Sequence, residues 1–197
     1  MRPAVFFDRD GIVNASPGPG YVNRAADFRM LPGFVECVRV ATAKGWPCLV
    51  ITNQRGVSRG LTPPAELAAM HEKLRRTLAA EGLSLLDLRV CTADDDSHPD
   101  RKPHPGMLLS ASQDHHLDVA SSWMIGDREK DVETGRNAGV AVTVRVEHDG
   151  TGPSPDAAKP SAATYRVRDI DACADLLRRE LQPWPPLSSP PPPARLA

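Results

Sequence analysis

No stretch of this chain approaches the roughly 20 consecutive apolar residues that cross a bilayer. The amino terminus lacks the charged and apolar regions of a secretory leader, because an apolar strand signal begins almost at once. The expectation is a cytoplasmic protein with no membrane partner. Cysteine is scarce. Cys37, Cys48, Cys91 and Cys173 form no C-x-x-C pair, and their spacing implies no disulfide framework, so reduced and mostly buried thiols are expected. An excess of either charge is also missing. The net charge of −1 builds no broad basic face, which argues against nucleic acid as a partner. No internal repeat is present.

What remains is an ordinary globular composition, 41% apolar and 25% charged over 197 residues, enough for one domain with a substantial core. Apolar stretches at 3–7, 48–52, 87–92, 121–125 and 140–146 read as strands. Between and after them, helical spacing predicts helices over about 33–44, 63–81, 105–116, 130–137 and 170–181. Pro63 and Pro64 suit a first helical turn, while Gly82 and Gly139 suit helix ends. Strands alternating with helices predict α/β architecture, a doubly wound Rossmann-like parallel sheet with right-handed crossovers. Residues 14–32 are a polar loop too small for a separate cap domain, and 147–162 is a second Gly/Pro/Ser-rich stretch. The expected domain spans 1–181. From Gln182 to the end, proline dominates without apolar periodicity, which predicts a disordered or polyproline II tail over 182–197. Nothing sets an oligomeric state, and a monomer is the default.

Chemistry concentrates where the strands end. VFFDRDGIVN, residues 5–14, brings Asp8 and Asp10 to the carboxyl end of a buried strand, where open α/β sheets bind ligands. Two carboxylates this close call for a cation, and Mg²⁺ suits oxygen ligands. Gly11 permits a sharp turn and close approach. Alone, the motif also fits a capped, solvated turn. After the second strand, Thr52, Asn53, Gln54, Arg55 and Gly56 supply a hydroxyl, amides and turn N–H groups suited to phosphate. Arg101 and Lys102 precede the third main helix and offer cations for phosphoryl oxygens. After the fourth strand, Asp127 and Asp131 stand four apart at a helix start, as metal ligands or as caps.

In this order, DRDG, TNQ, RKPHPGM and GDREKD resemble the haloacid dehalogenase superfamily of phosphatases. The likeness covers roughly residues 4–146. The longer strings FFDRDGIVN, VITNQRGVSRG, RKPHPGMLLSA and MIGDREKDVETGRNAGV are similar to the group that holds D-glycero-D-manno-heptose 1,7-bisphosphate phosphatase and histidinol-phosphate phosphatase. This resemblance implies Asp8 as nucleophile and Asp10 as acid and then base. It implies Mg²⁺ held by Asp8, the Asp10 carbonyl and Asp127, with Asp131 in support. Thr52 and Lys102 would stabilise the phosphoryl group. Asn53, Gln54, Arg55, Arg101 and Arg128 would meet substrate, as would the loop of Gly18, Pro19, Gly20 and Tyr21.

The pattern breaks in two places. The group commonly carries a C-x-H and C-x-C zinc loop before RKP. Here the stretch from Cys91 to Asp100 offers only Cys91 and His98 as soft or borderline ligands, beside Asp94, Asp95 and Asp96. A solvated acidic turn without structural zinc is expected. Ile12 also stands where threonine is usual. The partner that the resemblance implies is a small phosphorylated metabolite. A heptose bisphosphate, losing its 7-phosphate, would use Arg55 and Arg101 for its second phosphate. Histidinol phosphate would use the acidic loop for its cation, and broad phosphatase activity is a third option. A non-catalytic phosphate-binding module would lack one of the two aspartates of DRDG, and both are present.

Overall fold

The structure, a computed structural model, describes residues 1–18, 20–148 and 150–184. Its six strands are β1 (Val5–Phe7), β2 (Cys48–Asn53), β3 (Asp87–Cys91), β4 (Trp123–Gly126), β5 (Val142–Val146) and β6 (Tyr165–Val167). They form one sheet in the order β3-β2-β1-β4-β5-β6, and every pair is parallel. The helices are α1 (Pro32–Ala43), α2 (Arg55–Ser58), α3 (Pro64–Ala80), α4 (Gly106–Asp114), α5 (Glu129–Ala138) and α6 (Ile170–Glu180). Short 3₁₀ turns lie at Ala25–Asp27 and Val119–Ser121. Proline opens α1 and α3, where its missing N–H costs nothing, and Gly139 ends α5 in the left-handed region at φ 83°.

Side chains alternate across the sheet as a pleated strand requires. Val5, Phe7, Val50, Ile125 and Val144 join the helices α1, α3 and α6 in one apolar core. Phe6, Leu49, Ile51 and Met124 face the other way, onto Met107, Leu108 and Ala111 of α4. Phe7 meets Phe34 of α1 edge to face, with ring centres 5.3 Å apart. Helices therefore cover both faces. Strand order reverses between β1 and β4, and the crevice beyond their carboxyl ends is where doubly wound sheets bind ligands. Among the described residues no cap domain intervenes: those between β1 and α1 carry a single short helical turn, at Ala25–Asp27, and isolated bridges at Asn14.

Several boundaries differ from the sequence expectation. The fourth strand starts at Trp123, because Val119–Ser121 coils into a 3₁₀ turn, and the fifth starts at Val142. α2 and β6 were not expected. The carboxyl-terminal segment is ordered further than its composition implied. Trp46 donates its indole N–H to the Gln182 carbonyl at 2.7 Å, the Trp184 amide donates to the Lys44 carbonyl at 2.7 Å, and Trp184 packs against the main core. Gln182 to Trp184 are thus docked, and the rest of the proline-rich tail, 185–197, lies outside the described residues. No described helix is long and apolar enough to cross a membrane.

Candidate active site

Each strand end beside the reversal contributes one charged group. Asp8 follows β1 and Asp127 follows β4, while Asp131 occupies the first turn of α5. All three carboxylates are buried, and each offers an oxygen within 4.8 Å of the others. Lys102 reaches between them. Its ammonium lies 2.5 Å from Asp8 Oδ1 and 2.7 Å from Asp131 Oδ1, and it donates to the Ile51 carbonyl at 3.2 Å. Two glycines make this crowding possible. A Cβ on Gly11, whose φ is +93°, would sit 2.7 Å from Asp127 Cγ, and one on Gly126 would collide with Asp131 Cβ.

The charges do not cancel. Burial, then Asp131 and Asp8, push the Asp127 carboxyl well above its usual range, against Arg128 and Lys102. Burial and then Asp131 also raise Asp8, opposed by Lys102 and Lys130. Burial works against the Lys102 ammonium, but Asp131 and Asp8 outweigh it and hold the proton on. Among the described residues no hydrogen-bond donor reaches the buried Asp127 Oδ1. An unpartnered carboxylate oxygen inside a three-carboxylate cluster fits a hard divalent cation such as Mg²⁺.

Asp10 lives differently. Burial would raise its carboxyl, but the Arg9 guanidinium and the Asn14 and Gln54 amides more than offset this and lower it. Arg9 Nη2 donates to both Asp10 oxygens at 2.9 Å, Asn14 Nδ2 to Oδ1 at 3.0 Å, and Gln54 Nε2 to Oδ2 at 3.0 Å. Arg9 is itself buried, with its guanidinium 5.9 Å from the Phe28 ring centre.

Asp8, Asp10, Asn53, Asp127, Arg128 and Lys130 line a cavity of about 90 Å³. That is smaller than the roughly 300 Å³ at which pockets begin to hold a whole drug-sized ligand. It suits a phosphoryl group, with the remainder of a substrate at its mouth. Lys130 lies within GDREKD, yet the motif alone gave it no role.

The expected substrate-binding residues divide. Arg128 faces the cavity and donates from Nε to Asp127 Oδ2 at 3.3 Å. Asn53 also lines it, but its amide is committed to the Lys102 backbone, accepting from the N–H and donating to the carbonyl at 3.0 Å each. Gln54 bridges Asp10 and the Thr52 hydroxyl, the latter at 2.8 Å. Both amides thus brace groups expected to be catalytic, Asn53 the Lys102 backbone and Gln54 the Asp10 and Thr52 side chains. Arg55 and Arg101 turn to the loop after β3. Arg101 donates to Asp96 Oδ1 at 2.8 Å and to the Ala93 carbonyl at 3.0 Å, and Arg55 pairs with Asp94 and Asp96. Arg59 joins Asp94 at 2.9 Å. Gly18, Gly20 and Tyr21 belong to the loop after β1, where Tyr21 packs beside Gly56; Pro19 lies outside the described residues. In the acidic loop, Cys91 Sγ and His98 Nδ1 are 3.9 Å apart, and Asp95 accepts from the Ser97 N–H and hydroxyl. Ile12 is fully buried in the main core.

Comparison with known proteins adds a family to this geometry. The HAD-hydrolase-like family model matches residues 100–173, which include Lys102, Asp127 and Asp131. The chain is 38% identical over 151 residues to a D-glycero-D-manno-heptose-1,7-bisphosphate 7-phosphatase of Thermosynechococcus vestitus, covering 70% of this chain and 76% of that one. It is 33% identical to the D-glycero-beta-D-manno-heptose-1,7-bisphosphate 7-phosphatase of Escherichia coli, over 92% of this chain and 96% of that one. Among solved structures, the D,D-heptose 1,7-bisphosphate phosphatase of B. bronchiseptica, complexed with magnesium and phosphate, superposes with a TM-score of 0.78 at 29% identity, covering 90% of this chain and 98% of that one. The chain therefore belongs to the haloacid dehalogenase-like phosphatases, in the group of the heptose bisphosphate phosphatases, and is a phosphatase.

Proposed function

We propose that this phosphatase is a Mg²⁺-dependent phosphomonoesterase that works through an aspartyl-phosphate on Asp8, with D-glycero-D-manno-heptose 1,7-bisphosphate as substrate and its 7-phosphate as the group removed. The observation that carries the chemistry is the Lys102 ammonium clasped between Asp8 and Asp131, beside the unpartnered oxygen of Asp127. Asp8, Asp127 and the Asp10 carbonyl would hold Mg²⁺, with Asp131 in support. When bound, the ion supplies positive charge that offsets the repulsion between a carboxylate and a phosphate dianion.

The protein's own groups do the rest. An Asp8 carboxylate oxygen attacks phosphorus, the bond from phosphorus to the substrate oxygen breaks, and the leaving alkoxide takes a proton from Asp10. Asp10 then removes a proton from water, whose oxygen attacks the acyl phosphate and releases inorganic phosphate and the Asp8 carboxylate. Its ligand-free environment holds Asp10 ionised. The arriving dianion raises its proton affinity, so the acid forms only beside a phosphate ester. Lys102 and the Thr52 hydroxyl stabilise charge on the phosphoryl oxygens.

The names of the relatives favour the heptose substrate. Arg55 and Arg101 would meet a second phosphate by exchanging Asp94 and Asp96, with which they pair, for phosphate oxygens. The histidinol phosphate reading loses its support here. It needs an uncompensated acidic loop, and Asp94 and Asp96 are already paired with Arg55, Arg59 and Arg101. The test is phosphate release with Mg²⁺ from both anomers of the bisphosphate, the corresponding 7-monophosphate and histidinol phosphate. The bisphosphate should show the highest kcat/KM by at least tenfold, and Asp8→Asn should be silent on all four. Equal turnover of every ester would contradict the substrate, and turnover by Asp8→Asn would contradict the chemistry.

A further inference from the structure

The stretch 147–162, Gly/Pro/Ser-rich in sequence, returns to the carboxylate cluster at Ser154 and Asp156. The segment leaves β5, closes on itself through a bridge between His148 and Pro153, and brings Ser154 against the back of Asp127. The Ser154 hydroxyl, only 4% exposed, donates to the Asp127 main-chain carbonyl. That carbonyl lies one residue past the end of β4. Two residues on, Asp156 Oδ2 accepts the Glu129 N–H at 2.9 Å and so caps the first residue of α5, the helix that carries Asp131. The segment is itself anchored. Fully buried Arg145 donates to Glu129 at 2.8 Å, to Glu147 at 3.1 Å and to the Lys159 carbonyl at 2.8 Å.

We infer that Ser154 and Asp156 are positioning residues for the metal site, fixing the turn from Asp127 to Asp131 so that both carboxylates face Asp8. This rests on the reading that those carboxylates hold Mg²⁺. Asp127 Oδ1 is buried with no donor among the described residues, and Oδ2 has only the 3.3 Å bond from Arg128 Nε, so side-chain hydrogen bonds hold the carboxylate head weakly. Its direction is set largely from the backbone side, where the Ser154 hydroxyl and the Asp156 cap grip both sides of Arg128. Groups that orient metal ligands from behind commonly change metal affinity by about 10- to 100-fold when removed.

The test is calorimetric titration of Mg²⁺ alone, without substrate, into the full chain and into Ser154→Ala, Ser154→Thr, Asp156→Ala and Asp127→Asn, at a temperature where circular dichroism shows each folded. Wild type should bind and Asp127→Asn should not; failure of wild type to bind would remove the metal reading itself. Given wild-type binding, Ser154→Ala and Asp156→Ala should each bind about tenfold more weakly, with Ser154→Thr closer to wild type. Wild-type affinity in both alanine variants would overturn the inference even if their unfolding midpoints fell. Should Ser154→Ala fail to fold, Asp156→Ala decides.

Discussion

Lys102 faces three buried carboxylates with one positive charge. Its removal leaves Asp8 and Asp131 mutually repelling in a buried site. Lys102→Met should therefore lower kcat by about 100-fold or more, as loss of a charge-stabilising donor does elsewhere. KM should change less than kcat, because in the proposed mechanism the lost contact strengthens as charge builds on the phosphoryl oxygens. Steady-state kinetics on the best substrate checks both parts. At this scale the sequence showed which residue types gather beyond the strand ends: Asp8, Lys102, Asp127 and Asp131 meet there, with Asp10 and Thr52 joined through Gln54. It did not show how amides divide their bonds. Asn53 and Gln54 suit a ligand as well as they suit a neighbour, and only the three-dimensional register shows Asn53 closing a reciprocal pair with the Lys102 backbone. Arg9 was likewise silent. An arginine between two aspartates reads as solvated, whereas here it is buried and keeps Asp10 ionised.

Elements place these residues, and one backbone position governs the closest approach. Gly126 ends β4 with no room for a side chain, because Asp131 fills the space. Gly126→Ala should displace the start of α5, cost about 1–3 kcal/mol of stability by overpacking, and weaken Mg²⁺-dependent activity. Denaturant unfolding and a Mg²⁺ activation curve measure the two effects. Unchanged values in both would show that the Asp131 position matters less than the geometry implies. Strongly patterned elements were legible: α3 keeps Leu67, Met70, Leu74 and Leu78 on one buried face, and β2 opens on the apolar run from Cys48 to Ile51. β6 was not, because Tyr165–Val167 is a three-residue edge strand only partly buried. α2 is a single turn, too short for any period. The segment after β5 carries its role in long-range hydrogen bonds from Ser154 and Asp156, which leave no periodic trace.

The stability of the whole molecule carries a pH dependence of its own. His71 of α3 is buried, and burial, followed by the charges of Arg9 and Arg75, lowers its pKa to about 4 from 6.5. Between those values the unfolded chain binds a proton that the folded chain refuses. Stability contributed by neutral His71 is complete above about pH 6.5 and is lost progressively down to about pH 4, by up to about 3 kcal/mol. His71→Leu should flatten that part of the profile. Unfolding midpoints at pH 7 and pH 5 should differ less in the variant than in wild type; an identical fall in both would assign the acid lability to other groups.

The account as a whole stands on Asp8 taking the phosphoryl group. The most direct measurement uses Asp10→Asn, which retains the proposed nucleophile but lacks the proposed base. The variant is mixed with Mg²⁺ and a phosphate ester whose leaving group needs no acid, quenched in acid, and mapped by peptide mass spectrometry. A phosphoryl increment on the peptide of residues 5–14, localised to Asp8 and absent from Asp8→Asn/Asp10→Asn, is the predicted result. A phosphoryl group on another residue, or wild-type turnover retained when Asp8 is replaced, would contradict it.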